Sequence, residues 1–381
     1  MYFTEEHEVF RESFKDFLQK EVVPHIEKWE KTGNIERFIW TKFGEMGYFG
    51  LSYPEEYGGL NLDLFYMVIF LEELQKINSG GFAAAIWAHV YLAMTHLNKE
   101  GDERIKRKYL SASISGEKIG CLCVTEPFGG SDVAGMKTTA VKDGDHFVIN
   151  GAKRYTSLIG ESKLIVFYAR TDPDAPMNKG VTAFLLDGSE EGISFGQTHN
   201  KMGYRLYPNR ESYYDNVRVH RDNVLGEVNG AAAVRAHAFR GSAELAACNT
   251  GLARSLYKIC YEHAKERVQG GKPIIEHLTI RHMLAEMIMN IEVAEQFMWR
   301  ICWGAENDET FTSRFTRSGK VFSDKVGLKT IELGLDVLGG MGIMREGPSE
   351  KIVRDILTFL HGDGTDSATL LEAANTLESP A

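Results

Sequence analysis

The chain has 381 residues, enough for two or three domains with cores of their own. Apolar residues make up 43% and charged residues 25%, the balance of a water-soluble globular protein. The formal net charge of −10 argues against nucleic acid as the default partner, although it leaves room for a local basic pocket that takes phosphates.

In chain order, MYFTEEHEVFRESFKDFLQKEV opens as an acidic amphipathic helix rather than a signal peptide, with Phe10, Phe14, Phe17 and Leu18 at helical spacing. Ile39 to Leu51 reads as a second helix, and YPEEYGGLNLD as a loop rich in Pro, Gly and Asp. Three apolar helices follow, over Leu64 to Lys76, Ala83 to Leu97 and Asp102 to Ile114. No apolar run approaches the length of a membrane span. Near Gly116 the period changes to that of strands, which continue to about Val224 as LIVFYAR, VTAFLLD and SYYDNVRV, and HFVINGAKRY suggests a hairpin turning at Asn150-Gly151. From Ala231 the helical period returns, giving helices over 231–269, 275–306, 312–338 and 350–357, the first stopped by Gly270-Gly271-Lys272-Pro273. The expected architecture is mainly α with a central β-domain: a helical domain over 1–118, a β-barrel-like domain over 119–228 and a four-helix bundle over 229–381. The five cysteines show no metal-ligand spacing beyond Cys121-x-Cys123, whose side chains point the same way from a strand and are better read as core, so a reducing cytoplasm fits and no metal is expected.

The most particular stretch is CLCVTEPFGGSDVAG, from Cys121 to Gly135. A short strand breaks at Pro127 into a turn with Gly129, Gly130 and Ser131, and paired glycines with turned amides make a nest for an anion. A lone Gly-Gly-Ser is equally an ordinary strand-to-loop connection. The whole string resembles the flavin-binding segment of the acyl-CoA dehydrogenase family, TEPGAGSD followed by small apolar residues. Four further motifs carry the same resemblance, and together they cover nearly the whole chain: KRYTSLIG, KERVQGGKPIIEHL, DVLGGMGIMREGPSEKIVRD and HGDGTDS.

The resemblance implies FAD as cofactor. Leu122 to Ser131 would lie along it, with Val124 and Thr125 at the ring and Gly130 and Ser131 at the pyrophosphate. Tyr155, in place of the family's Trp, would stack on the ring, and Ser157 would donate toward flavin N5. Arg267 would reach the pyrophosphate of a neighbouring subunit's FAD, with His277 matching the family's His; alone, Arg267 is also a plausible solvated cation at a helix C-terminus. Gly339 and Gly340 would let the backbone approach that same FAD. Asp336 replaces a Gln there, and a carboxylate facing a pyrophosphate is unfavourable without an intervening cation or water. A site shared in this way implies a homodimer or homotetramer.

The catalytic base aligns with Asp363, where the family has Glu, and Gly364 and Thr365 follow as cofactor contacts. In the family this residue removes an α-proton from an acyl thioester while a β-hydride moves to flavin N5, and its backbone N–H polarises the thioester carbonyl. Aspartate is one methylene shorter, so either the backbone advances between Gly362 and Gly364, or the substrate is shaped differently, or the reaction differs. Some members place the base at the position of Gly241; Glu244, one turn on, is a reserve candidate. The family's D-x-x-R contacts to phosphopantetheine are Phe239 and Ser242 here, so both polar contacts are lost; Ser131, Asn178 and Arg240, with Asp363, are the candidate contacts to the thioester or its phosphates. Trp87 and Tyr91 lie on the helix that caps the family's acyl pocket, or are simply core aromatics.

The implied function is FAD-dependent dehydrogenation of acyl-CoA, with electron-transfer flavoprotein as oxidant. The alternatives are a carrier-protein thioester, a same-fold oxidase of a nitroalkane-type carbon acid, and a catalytically silent binding homologue.

Overall fold

The computed structural model describes residues 2–130, 135–175, 179–231, 243–308, 315, 318–360, 362 and 364–374. Helix α1 (Glu5–Phe17) starts at a reciprocal cap: the Thr4 hydroxyl accepts from the His7 N–H, and the His7 ring accepts from the Thr4 N–H at 3.0 Å. It passes through a π-helical turn (Leu18–Val22) into α2 (Val23–Thr32), which ends at Gly33 with φ +67°. Helix α3 (Arg37–Glu45) is shorter than the predicted run to Leu51, because Gly47 turns left-handed at φ +77°. Helix α4 (Leu64–Gln75) is capped by Asp63 and buried over nearly its whole length. The helix predicted over 83–97 is α5 (Gly80–Trp87), a π-helical stretch (Ala88–Met94) and α6 (Thr95–Glu100) in succession. A similar π-helical turn (Lys106–Leu110) separates α7 (Glu103–Ile105) from α8 (Ser111–Ile114).

The middle of the chain forms one eight-stranded sheet: β1 (Gly120–Cys123), β2 (Thr139–Asp143), β3 (His146–Ser157), β4 (Leu164–Arg170), β5 (Val181–Asp187), β6 (Ile193–Phe195), β7 (Asn209–His220) and β8 (Val224–Leu225). Its order is β6-β7-β3-β2-β4-β5-β8, with β1 pairing in parallel on β4. Strand β4 is buried on both faces, which explains its unbroken apolar run LIVFYA.

The hairpin predicted at Asn150-Gly151 is not there. β3 runs straight through both residues, and the β2–β3 hairpin closes at Asp143↔His146, around Gly144 at φ +61°. Gly151, at φ +150°, sits instead where the register against β7 slips by one residue, so the Asn-Gly pair marks a bulge.

The C-terminal helices are α9 (Ala243–Glu266), α10 (Leu278–Asn307), α11 (Ser318–Leu338), α12 (Pro348–Phe359) and α13 (Asp366–Ala374). The first of these ends earlier than predicted. Gly270 and Gly271, at φ +60° and +80°, form the two-residue turn of a small ribbon, β9 (Val268–Gln269) with β10 (Lys272–Pro273).

Helix directions follow from the contacts. Gly319 lies against Ala246, and Gly334 against Leu256 and Cys260, so α9 and α11 run parallel. Ile301 packs on Gly319 while Arg254 Nε donates to Glu295 at 2.6 Å, so α10 runs antiparallel to both. Ile356 meets Gly327, and Leu360 reaches back to Lys320, so α12 also runs antiparallel to α11. The bundle therefore has two ends, separated by the length of α11, about 30 Å. No helix among the described residues is long and apolar enough to cross a membrane.

Candidate active site

The first two motifs are tied directly together. Lys153 on β3 is fully buried, and its Nζ donates to the Val124 carbonyl at 3.1 Å and to Glu126 Oε1 at 2.9 Å. The Glu126 carboxylate also accepts from the backbone N–H groups of Lys137 at 2.6 Å and Thr138 at 3.0 Å. The Arg154 N–H reaches the Thr125 carbonyl at 2.9 Å. Three chain segments thus converge on one buried ion pair. Burial pushes the Lys153 ammonium down to about 8, against the pull of Glu126. Burial pushes Glu126 up, but the Lys153 charge and the donors around it hold its carboxyl below its ordinary value. Leu122 and Val124 are half-buried beside the fully buried Cys121 and Cys123, as the strand alternation predicts.

Tyr155 and Leu158 both hold left-handed backbone, at φ +57° and +60°, which side chains resist. The first lies within a register slip between β3 and β7. Its ring is 57% exposed, with the Arg154 guanidinium 4.9 Å from its centroid and His199 at 5.3 Å. Asn209 Nδ2 donates to the Tyr155 carbonyl at 2.9 Å and to Ser157 Oγ at 2.8 Å, which orients that hydroxyl. The same asparagine accepts from Lys201; nearby, the Met202 carbonyl accepts from Arg354, the Tyr204 N–H donates to Asp355, and the Tyr204 ring meets Phe359, the last residue of α12. A chain of contacts therefore runs from the sheet to the end of α12.

Beyond that end lie Gly364 and Thr365, both exposed, with Gly364 at φ +101° and facing open space. This end of the bundle also holds Glu244, half-buried on the first turn of α9. Tyr91 and Trp87 are buried, and the Tyr91 hydroxyl and Trp87 Nε1 have no hydrogen-bond partner among the described residues. Burial pushes the Tyr91 phenol far up, assisted by Tyr53 and Glu244. Ser131, Asn178, Arg240 and Asp363 lie outside the described residues.

The third and fourth motifs gather at the opposite end of the bundle. Arg267 follows the last turn of α9, is exposed, and makes no ion pair among the described residues. His277 begins α10, its Nε2 3.0 Å from the Gln269 carbonyl. Asp336 is exposed near the end of α11, and Gly339 and Gly340 face open space just after it. Gly364 and Thr365 thus stand at one end of the bundle, Arg267, His277, Asp336, Gly339 and Gly340 at the other, and the sheet residues join α12 between them.

Family models match along the length of the chain: the acyl-CoA dehydrogenase N-terminal domain over residues 4–117, the middle domain over 121–217 and the C-terminal domain over 230–377. The chain belongs to the acyl-CoA dehydrogenase family. It is 30% identical to a 3-(aryl)acrylate reductase of Clostridium sporogenes over 99% of this chain and 100% of that protein. It is 30% identical to the caffeyl-CoA reductase-Etf complex subunit CarC of Acetobacterium woodii, over 96% of each. The crystal structure of an acyl-CoA dehydrogenase from Geobacillus kaustophilus superposes with a TM-score of 0.94 at 30% identity, covering 99% of both chains.

Like other acyl-CoA dehydrogenases, this chain is a flavin oxidoreductase acting on CH–CH donors, with FAD as cofactor. The residues present fit that group. Among the described residues no atom lies within 4 Å of where a side chain would begin at Gly130, Gly339 or Gly340, which leaves room for a phosphate to approach the backbone closely. Tyr155 offers an exposed ring on a strained, well-tethered turn. Glu126 and Lys153 lie within the first two motifs, but the family resemblance gives neither a role. The signal was a lysine and a glutamate inside apolar strand patterns, residue types that are rarely buried unless paired.

Proposed function

We propose that this acyl-CoA dehydrogenase family member oxidises an acyl thioester to its 2,3-enoyl form with Asp363 as the α-proton base. Bound FAD supplies the acceptor for the β-hydride. Asp363 takes the α-proton onto its carboxylate, and its backbone N–H donates to the thioester carbonyl, which acidifies the α-carbon. Leu122, Val124, Thr125, Gly130, Ser131, Tyr155 and Ser157, with Gly364 and Thr365, hold the flavin of their own chain. Arg267, His277, Asp336, Gly339 and Gly340 hold that of a second copy. Ser131, Asn178 and Arg240 hold the substrate, a CoA or carrier-protein thioester. The observation that supports the reading is the arrangement of the motifs: the predicted ring-binding strands are tied to α12, which leads to position 363, while Arg267, with no ion pair among the described residues, lies at the same end of the bundle as Gly339 and Gly340.

The same groups serve reduction of an enoyl or acrylate double bond by microscopic reversibility, a direction favoured by the similarity to two reductases. A homodimer or homotetramer, an electron-transfer flavoprotein partner, a cytoplasmic location and domain boundaries near 118 and 228 complete the proposal.

The test is anaerobic bleaching of the flavin with butyryl-CoA, isovaleryl-CoA and 3-phenylpropanoyl-CoA, and with nitroethane. Bleaching by a thioester, slowed at least about 100-fold in Asp363→Asn, is expected. Bleaching by nitroethane alone, with peroxide formed in air, moves the function to a carbon-acid oxidase. An Asp363→Asn variant as fast as wild type removes the base assignment.

A further inference from the structure

Lys320 stands on the first turn of α11 with only 1% of its side chain exposed. An ammonium has three N–H donors and no acceptor, and four oxygens surround this one. They are the carbonyls of Leu360 at 3.1 Å and Gly364 at 3.2 Å, Asp366 Oδ1 at 3.2 Å, and Asp324 Oδ2 at 2.7 Å. Asp324 Oδ1 in turn accepts from Asn249 Nδ2 of α9. One buried charge thus joins α9, α11, the end of α12 and the start of α13.

Stability alone does not call for a lysine here. Burying a charge costs several kcal/mol, and a well-packed apolar side chain of similar volume often stabilises as well or better. What an apolar side chain cannot do is hold two backbone carbonyls, one on each side of residue 363. Leu360 and Gly364 bracket that position, and Asp366 fixes the helix that follows. The restraint matters more for aspartate than for glutamate, because the shorter side chain has one fewer torsion with which to correct a displaced backbone.

We propose that Lys320 is a positioning residue for the reaction: its ammonium holds the Leu360 and Gly364 carbonyls and the Asp366 carboxylate, and so sets where the intervening Asp363 meets the substrate α-carbon. The inference rests on the reading of Asp363 as the base.

The test compares Lys320→Met, Asp366→Ala and Asp363→Asn as FAD-loaded proteins. Amide hydrogen exchange across 360–366 should be faster than wild type in Lys320→Met and unchanged in Asp363→Asn. With the acyl-CoA that bleaches wild type fastest, the reductive rate of Lys320→Met should fall about 100-fold, as for a misplacement near 1 Å. Its substrate dissociation constant, read from the flavin spectrum, should stay within a few-fold of wild type. Asp366 is 35% exposed, so Asp366→Ala should fold even if Lys320→Met does not, and its reductive rate should fall about tenfold. Wild-type exchange and wild-type reductive rate in the folded Lys320 or Asp366 variant, with Asp363→Asn inactive, overturn the positioning role alone. Wild-type reduction by Asp363→Asn overturns the underlying reading instead.

Discussion

Tyr155 holds a backbone conformation that its side chain opposes, at a cost of about 1–2 kcal/mol relative to glycine. A residue that exposed gains little from burial among the described residues, although Asn209, Arg154 and His199 tether it. Backbone outliers that persist against such a cost tend to mark functional positions. If the ring is kept to stack on flavin, Tyr155→Gly should separate folding from binding. Thermal stability without FAD should stay level or rise by about 1 kcal/mol, from relief of the left-handed strain offset by the greater freedom of glycine when unfolded. The dissociation constant for FAD should rise about tenfold, the loss of one aromatic stack. Equal losses in both measurements would make Tyr155 an ordinary structural residue. The sequence motif placed an aromatic here but carried no hint of the left-handed backbone, which arises from the register slip against β7.

At the scale of elements, the long periodic segments were legible and their joints were not. α4 came within one residue of its predicted end, because Asp63 caps it and its apolar run is unbroken. Asn150-Gly151 misled because the same dipeptide suits a tight turn or a bulge, and the competing Asp-Gly-Asp at 143–145 decides between them. The ties between elements were hidden for a different reason. Lys153–Glu126, Asn209–Ser157 and Lys320–Leu360 join residues far apart in sequence, so no local pattern announces them. His89 is one of these ties. In the π-helical stretch after α5, its Nε2 lies 3.1 Å from the Ser113 carbonyl, and its Nδ1 accepts from the Gly120 N–H at 3.1 Å, where β1 begins. That pattern requires the neutral Nε2–H form; a proton on Nδ1 would face the Gly120 N–H. Burial accordingly pushes its pKa down to about 4. A histidine whose folded pKa lies below its unfolded value contributes stability that is present above pH 6.5 and lost as pH falls toward 4. The difference is about 3 kcal/mol at the acid limit. Urea unfolding of His89→Gln between pH 4 and 7 should therefore show a free-energy slope shallower by about one proton than wild type. Identical slopes in the two proteins would remove His89 as a source of acid sensitivity.

At the scale of the whole molecule, Gly364 and Thr365 at one end of the bundle stand about 30 Å along α11 from Gly339 and Gly340 at the other. On the proposed assignment, Arg267, Gly339 and Gly340 serve a flavin site other than the one that Gly364 and Thr365 of the same chain would line. A second copy would supply them in a symmetric dimer that sets each chain's far end beside its partner's near end. Exposed apolar side chains at that far end, Leu278 at 80% and Ile343 at 72%, are of the kind that such an interface covers. The arrangement makes a prediction that no single-chain site can satisfy. Asp363→Asn removes the base of its own site but keeps an arginine to lend, while Arg267→Ala keeps its base but lends nothing. Each variant alone should reduce its flavin slowly or lose it. Hybrids formed by subunit exchange should contain one site with both groups intact and one with neither. After full exchange of an equal mixture, about a quarter of all sites should be complete, with the kinetics of wild type. Activity should therefore appear on mixing two inactive proteins, at a rate set by dissociation of the subunits. A mixture that stays as inactive as its components after proven exchange would place both groups in one chain's site and contradict the two-ended geometry.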